Sequence, residues 1–182
     1  MKSKNQIFID LLPIKTERLY IRKTSLEDID LLLKMDKQEI TQKYLGGVKN
    51  KTREERIAFI NRKLDKFNKG LAGQLTICLN DGTPIGFSGL SINEDENSSE
   101  IGYIFDYDYC NKGYCTESCK KLIDIAFNIL DLDYIFADTV EGNNSSKRVL
   151  EKLGFIYKDS SNRDGVTFLN YYLYNKRDRK NE

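Results

Sequence analysis

The segment Tyr109-Cys110-Asn111-Lys112-Gly113-Tyr114-Cys115-Thr116-Glu117 ends an extended run and opens the longest helical pattern of the chain. A helix N-terminus presents unpaired N–H groups and the positive end of its dipole, and a Gly there lets an anion approach the backbone. The segment is therefore a candidate phosphate seat. It is not a Walker loop, since no G-x-x-x-x-G-K-[ST] is present, and it lacks the glycines of a G-x-G-x-x-G dinucleotide turn. The same residues also suit a plain strand-to-helix turn, and Asn111 is able to take the left-handed geometry such turns need. The chemistry that can stand beside the seat is limited by an absence: the 182 residues contain no His. This excludes Ser-His-Asp and Cys-His catalysis and zinc sites built on imidazole, because each needs a ring nitrogen that titrates near neutral pH. The four Cys, at 78, 110, 115 and 119, show no C-x-x-C spacing. Cys115 and Cys119 fall on the apolar side of the helical pattern, as buried reduced thiols do. Carboxylates, amines, hydroxyls, thiols, backbone groups or a cofactor remain, and no metal is expected.

The elements around that segment can be read from periodicity. Arg18 to Lys23 alternates as a first strand. Ser25 caps a helix with Asp28 three residues on and Leu26, Ile29, Leu32 and Leu33 on one face. Thr52 and Glu55 form a capping box before Ile57, Ile60, Leu64 and Phe67, and Gly70 closes that helix. Ala72 to Leu79 and Ile85 to Ile92 alternate on either side of the Asn80-Asp81-Gly82 turn, and Glu100 to Phe105 follows after a polar loop. Between Gly113 and Leu130 the apolar residues Cys115, Cys119, Leu122, Ile123, Ala126, Phe127 and Leu130 share a helical face. Tyr134 to Val140 reads as a buried strand, Asn144 to Leu153 as a short helix closed by Gly154, and Phe155 to Lys158 and Val166 to Tyr174 as two last strands. A strand, a long helix and another strand make a parallel crossover. The expected fold is α+β: a mixed, mostly antiparallel sheet of six to seven strands with helices on both faces and one parallel β-α-β crossover.

No linker, repeat or composition break divides the chain, so residues 1–182 are expected to form one domain. Twenty-nine Lys and Arg against 28 Asp and Glu leave a net charge of +1, which argues against a general nucleic-acid binder. No stretch approaches the roughly 20 apolar residues of a membrane span. The opening MKSKNQIFIDLLPI is interrupted by Asp10 and Pro13 and has no cleavage site, so the expected location is cytoplasmic, without membrane partners.

An ordered set of motifs carries a resemblance. These are Lys15-Thr16-Glu17-Arg18-Leu19 with Ile21-Arg22; Tyr44-Leu45-Gly46-Gly47 followed by Thr52-Arg53-Glu54-Glu55; Pro84-Ile85-Gly86 and Gly89-Leu90; Glu100-Ile101-Gly102-Tyr103; Lys112-Gly113-Tyr114 with Thr116-Glu117; and Asn143, Ser146 and Arg148 to Phe155. From about Ile14 to Tyr174 the chain resembles the Gcn5-related N-acetyltransferases, and within them the branch with the ribosomal-protein N-terminal acetyltransferases. The resemblance implies the acyl-CoA N-acyltransferase fold and acetyl-CoA as co-substrate. Backbone groups near Ile104 and Phe105 would pair with the pantetheine arm, and the N–H groups of Asn111, Lys112, Gly113, Tyr114, Cys115 and Thr116 would hold the pyrophosphate. Asn143 would bond the pantetheine amide and Ser146 would sit near the thiol sulfur. The sequence departs from the family at Cys110, Asn111 and Cys115 in the loop. It also has Leu150 where many relatives carry a Tyr that protonates the leaving thiolate, so that role is vacant.

Direct transfer to an amine needs positioning, a route for the ammonium proton and some oxyanion stabilisation, and no protein nucleophile. Glu100, opening the strand beside the acyl site, is the candidate base; the competing reading is that it only orders a water or a strand end. Ser146 is the candidate acid, against a plain helix N-terminal hydroxyl. The implied acceptor is an amine: a protein N-terminus, or a small amine such as an aminoglycoside or polyamine. An acetyl-CoA-binding module without turnover is the reading from another class. Asp106 and Asp108 are candidates for amine recognition, the acidic loop Glu94-Asp95-Glu96 is expected to be solvated, and part of Tyr171, Tyr172 and Tyr174 would line the acceptor cleft. The basic stretch Lys176 to Lys180 reads as a solvated end, and a homodimer is compatible with the sequence without being fixed by it.

Overall fold

The computed structural model describes residues 2–176. Its elements are α1 (Lys4–Asp10), β1 (Ile14–Lys15), β2 (Leu19–Lys23), α2 (Ile29–Asp36), α3 (Glu39–Gln42), α4 (Arg53–Asn68), β3 (Gln74–Leu79), β4 (Pro84–Asn93), β5 (Ser98–Phe105), α5 (Tyr114–Asn128), β6 (Tyr134–Val140), α6 (Asn144–Lys152), β7 (Ile156–Arg163) and β8 (Val166–Tyr174). The strands form one sheet in the order β1-β2-β3-β4-β5-β6-β8-β7. Every neighbouring pair is antiparallel except β5 and β6, which α5 joins as a crossover. The count is eight strands rather than six to seven, because the two residues of β1 pair with β2, too short a ladder for alternation to reveal.

The chain's apolar residues bury themselves on the two sheet faces. On one face α5 and α6 cover Ile101, Phe105, Ile135 and Ala137 with Cys119, Leu122, Ile125, Ala126 and Leu150. On the other, α2 and α4 cover Phe87 with Ile29, Leu32, Met35 and Ile60. α4 starts where expected: Thr52 accepts from the Glu55 N–H and the Glu55 side chain accepts from the Thr52 N–H. The cap at Ser25 is only half made. Asp28 accepts from the Ser25 N–H at 2.8 Å, but the Ser25 hydroxyl has no partner. Asp28 is drawn inward by Arg22, which pairs with both its oxygens, and by the Thr76 hydroxyl. A 3-10 turn, Leu26–Asp28, therefore precedes α2, and Leu26 is exposed rather than on the buried face.

Helix α1 was not foreseen. Ser3 caps it, Phe8 and Ile9 enter the core, and the Asn5 side chain bridges Glu94 and the Ala72 N–H. That contact occupies Glu94, while Glu96 accepts from the Tyr134 hydroxyl. The basic stretch that begins at Lys176 lies, after that residue, outside the described residues. No helix among the described residues is long and apolar enough to cross a membrane.

Candidate active site

The sheet opens at the parallel pair β5 and β6, the only one among the described residues. β5 and β6 are paired over Ser98 to Glu100 with Tyr134 to Phe136; beyond Glu100, β5 runs to Phe105 paired only with β4, while β6 pairs only with β8. Glu100 thus stands at the apex of a V. The Asp106 N–H donates to Ile85 O at 3.0 Å, and a Cβ at Gly86 would meet Ile104 O at 2.7 Å. Backbone groups alternate along a strand, so those of Ile104 face β4, and those of Tyr103 and Phe105 face the opening. The expected pair of Ile104 and Phe105 is therefore shifted by one residue at its first member. Periodicity places residues on faces but cannot tell which neighbour each backbone group serves.

The mouth of the V is the turn before α5. Gly113 has φ 83° and Asn111 has φ 60°, both left-handed, and they bring the chain sharply into the helix. The first helical bond there runs from the Glu117 N–H to Gly113 O at 3.0 Å, so the N–H groups of Tyr114, Cys115 and Thr116 are left without helical acceptors. Asn111, Lys112 and Gly113 are exposed, while Tyr114, Cys115 and Thr116 are half-buried. Lys112 folds its ammonium back over the Tyr109 ring at 5.2 Å. The contact with the Cys119 thiol, and then burial, push Cys115 up, so this wall of the turn is a neutral thiol.

Arg18, which the sequence shows only as part of an opening motif, proves to be a structural member of this turn. Its Nη1 donates to Lys112 O at 3.0 Å, its guanidinium lies 4.6 Å over the Tyr114 ring, and its Nε donates to Glu117 at 2.6 Å. Glu117 also accepts from the Thr16 hydroxyl and the Arg18 N–H. Burial acts to raise the Glu117 carboxyl, but these bonds outweigh it and hold the group below the usual carboxylate range. The partners are 99 positions apart, so no local pattern reveals the pairing. A Cβ at Gly113 would lie 3.3 Å from Arg18 Nη2, which makes the position restricted by space as well as by φ.

Side chains of β5 alternate across the V. Tyr103 packs with Ile101 and Phe105 on the α5 and α6 side, and its hydroxyl lies 3.0 Å from Ser146 Oγ and 3.2 Å from Ser146 O. Burial pushes this phenol far above its ordinary value, so it stays protonated. The Asn143 Oδ1 is spent on capping α6, accepting from the Ser146 N–H at 3.2 Å, which leaves its amide N–H groups. Leu150 is fully buried in the core. A hydroxyl is nevertheless present next to α6: Tyr103 supplies it from the sheet, a pairing across 43 positions that the sequence reading missed.

Glu100 lies on the opposite side, at the edge of a cavity of about 430 Å³ between α2, α4 and the sheet, lined also by Met35, Phe59, Phe87, Gly102 and Ile104. Its carboxyl is pushed up, first by burial and then by the Asp138 carboxylate, with Arg163 partly offsetting both. Arg163 itself pairs with Asp138 at 2.6 Å. An exposed carboxylate with a raised pKa beside a cleft is a candidate proton acceptor.

Asp106 and Asp108, expected to meet an acceptor amine, already hold one. Lys34 Nζ donates to both at 2.6 Å, and Gln38 donates to Asp106 at 2.7 Å. Buried Asp106 is kept ionised because these partners outweigh desolvation, so the pair fixes α2 to the end of β5 instead of reading substrate. Tyr171 is buried. Tyr172 and Tyr174 join Tyr134 and Phe136 in an aromatic cluster on the other face of β6 and β8, and none of the three tyrosines of the last strand lines the cavity.

Residues 18–156 match the family described as "Acetyltransferase (GNAT) domain". An uncharacterized N-acetyltransferase, p20, of Bacillus licheniformis is 31% identical over 142 residues, spanning 77% of this chain and 80% of its own. Among solved structures, spermidine N-acetyltransferase from Vibrio cholerae in complex with CoA and spermine superposes with a TM-score of 0.73 at 17% identity, over 87% of this chain and 96% of its own. Ribosomal-protein-S5-alanine acetyltransferase from Vibrio fischeri superposes with a TM-score of 0.71 at 18% identity, over 90% of this chain and 96% of its own. At these identities the two structures speak for the fold alone, and they show it serving acceptors as unlike as a polyamine and a ribosomal protein.

Proposed function

The chain belongs to the GNAT acetyltransferase family and is an N-acetyltransferase, and we propose that it transfers the acetyl group of acetyl-CoA directly to a primary amine, with a protein N-terminal amine as the leading acceptor. The observation that carries the proposal is the V between β5 and β6, whose unpaired edge leads straight to the left-handed turn at Gly113. The residues present fit the co-substrate. An extended edge with free backbone groups suits a chain of amides, and a helix N-terminus that only Gly admits so closely suits a pyrophosphate.

Acetyl-CoA supplies an activated acyl carbonyl on a thiolate leaving group. The backbone of Tyr103 and Phe105 would align the pantetheine arm as an added strand. The N–H groups from Asn111 to Thr116 would hold the pyrophosphate, with Lys112 and Arg18 adding positive charge at the turn. The amide of Asn143 would bond the arm from the α6 side. Glu100, at the apex and on the acceptor face, takes the ammonium proton, directly or through a water. On the far face the Tyr103 and Ser146 hydroxyls, in mutual contact, donate hydrogen bonds to the departing sulfur, which takes its proton from water. A thiolate whose conjugate acid has a pKa near ~8.5 makes that last demand modest.

The test is calorimetry of acetyl-CoA binding followed by CoA release on adding a library of peptides and small amines. Binding with amine-dependent release is expected. Failure to bind acetyl-CoA overturns the reading, and binding without release for any amine leaves a silent acetyl-CoA module in its place.

A further inference from the structure

The acceptor side of the cleft has a charge pattern of its own. α4 turns a basic face toward the cavity, and Arg56, Arg62 and Lys63 gather at 5.3, 6.0 and 5.1 Å around the single ring of Phe59. Arg56 is committed, since both its Nε and its Nη2 donate to the buried Asp36. Lys63, Lys66 and Lys49 also line the cavity, and none of these three ammonium groups has an ion-pair partner among the described residues. Lys63 is half-buried, and its pKa is pulled down by burial first and then by the like charges of Lys66 and Arg62. Holding an unpaired cation in that position is unfavourable by itself and is relieved when an anion arrives. The remaining lining carboxylate, Glu100, stands on the sheet side.

We propose that the acceptor is a primary amine that also carries carboxylates, its ammonium directed to Glu100 and its carboxylates to Lys63, Lys66 and Lys49. The inference rests on the cleft being the acceptor site of an N-acetyltransferase and narrows the substrate class of that site. A polycation such as spermidine meets the same wall with like charge, so the wall acts as a filter as well as an attraction.

The probes are three: the tripeptide amides Gly-Glu-Glu and Gly-Lys-Lys, and free glutamate, each titrated calorimetrically into the full chain saturated with CoA. Gly-Glu-Glu is expected to bind at least about tenfold tighter than Gly-Lys-Lys, the scale of one well-placed charge interaction. In Lys63→Glu/Lys66→Glu the order is expected to invert. Lys66→Glu alone, at an exposed position, is expected to narrow the preference if the double variant does not fold, with acetyl-CoA affinity serving as the folding control. Free glutamate binding as tightly as the acidic tripeptide assigns the site to an amino acid, and weaker binding assigns it to an acidic peptide; both uphold the charge reading. Equal affinity for the two tripeptides, a preference for Gly-Lys-Lys, no binding of either, or an order untouched by the substitutions overturns it. The transferase reading fails separately, when acetyl-CoA neither binds nor gives labelled acetyl to any amine, spermidine included.

Discussion

The two sides of the cleft differ in how their charges are settled. At the turn before α5, Arg18 and Glu117 are engaged within the fold: Arg18 with Glu117, Lys112 O and Tyr114, and Glu117 with Thr16 as well. Across the sheet, α4 presents Lys63 and Lys66 without ion-pair partners among the described residues, beside a Glu100 whose carboxyl is destabilised. The first region is organised before anything binds, and a site that meets the same ligand in every turnover gains affinity from that preorganisation. The second is left electrostatically incomplete and is completed by what enters. On the proposed reading, one side is built for the invariant partner, and the other is where an acceptor is selected.

The largest effect expected of any substitution is at the apex. Glu100→Gln keeps shape but removes the proposed proton acceptor, and kcat/KM should fall by about 10² to 10⁴. The pH profile makes the test specific. A carboxyl raised above its ordinary value is protonated at low pH and active above its pKa, so the wild-type rate climbs as pH rises through that value, and this limb should vanish in Glu100→Gln while the limb from the acceptor's own ammonium stays. With no His in the chain, imidazole cannot supply the limb. An unchanged rate and profile would reduce Glu100 to a structural residue.

On the preorganised side, Gly113→Val should weaken acetyl-CoA binding by about 10- to 100-fold. A β-branched residue at φ 83° carries backbone strain of order 1–3 kcal/mol, and its Cβ crowds Arg18. Calorimetry with unchanged affinity would remove the pyrophosphate from this turn. Glu117→Ala should act less on binding and more on stability. It strands the Arg18 N–H and the Thr16 hydroxyl, for a loss of about 1–3 kcal/mol and a Tm lower by about 2–4 °C for each kcal/mol. The sign with pH follows from the lowered carboxyl. The Glu117 contribution is complete above the unfolded value near 4.5 and is lost as pH falls through the lower folded one. Wild-type and variant stabilities should therefore converge in acid.

What could be read in advance follows the same division between local and distant. Helices α4 and α5, the turn at Asn80-Asp81-Gly82 and the order of strands were legible, because capping boxes, 3.6-residue stripes and two-residue alternation are local patterns. Gly113 by itself was only a weak signal, and it took the family resemblance to make it and Glu100 site candidates. Arg18 on Glu117, Tyr103 on Ser146 and Lys34 on Asp106 were illegible, since each joins residues that only the fold brings together. The basic wall was hidden differently: α4 was read for its apolar stripe, and its polar face looked like any solvated helix surface until the sheet closed over it. Helix α1 was overlooked because a run of seven residues barely spans two turns.

The smallest expected effect concerns the leaving group. Tyr103→Phe removes the hydroxyl that touches Ser146 while keeping the ring in the core between Ile101 and Phe105. A phenol held protonated by burial has its proton available for a hydrogen bond to sulfur, but a thiolate leaves readily and water reaches the open V. The expected loss in kcat is therefore only several-fold, with the acetyl-CoA KM little changed, and Ser146→Ala should give a similar loss. Because the two hydroxyls act through one contact, the double variant should lose little more than either single one. Independent, multiplying losses would separate the hydroxyls, and a fall near 10² in Tyr103→Phe would make proton delivery to sulfur, not deprotonation of the amine, the step this site is built around.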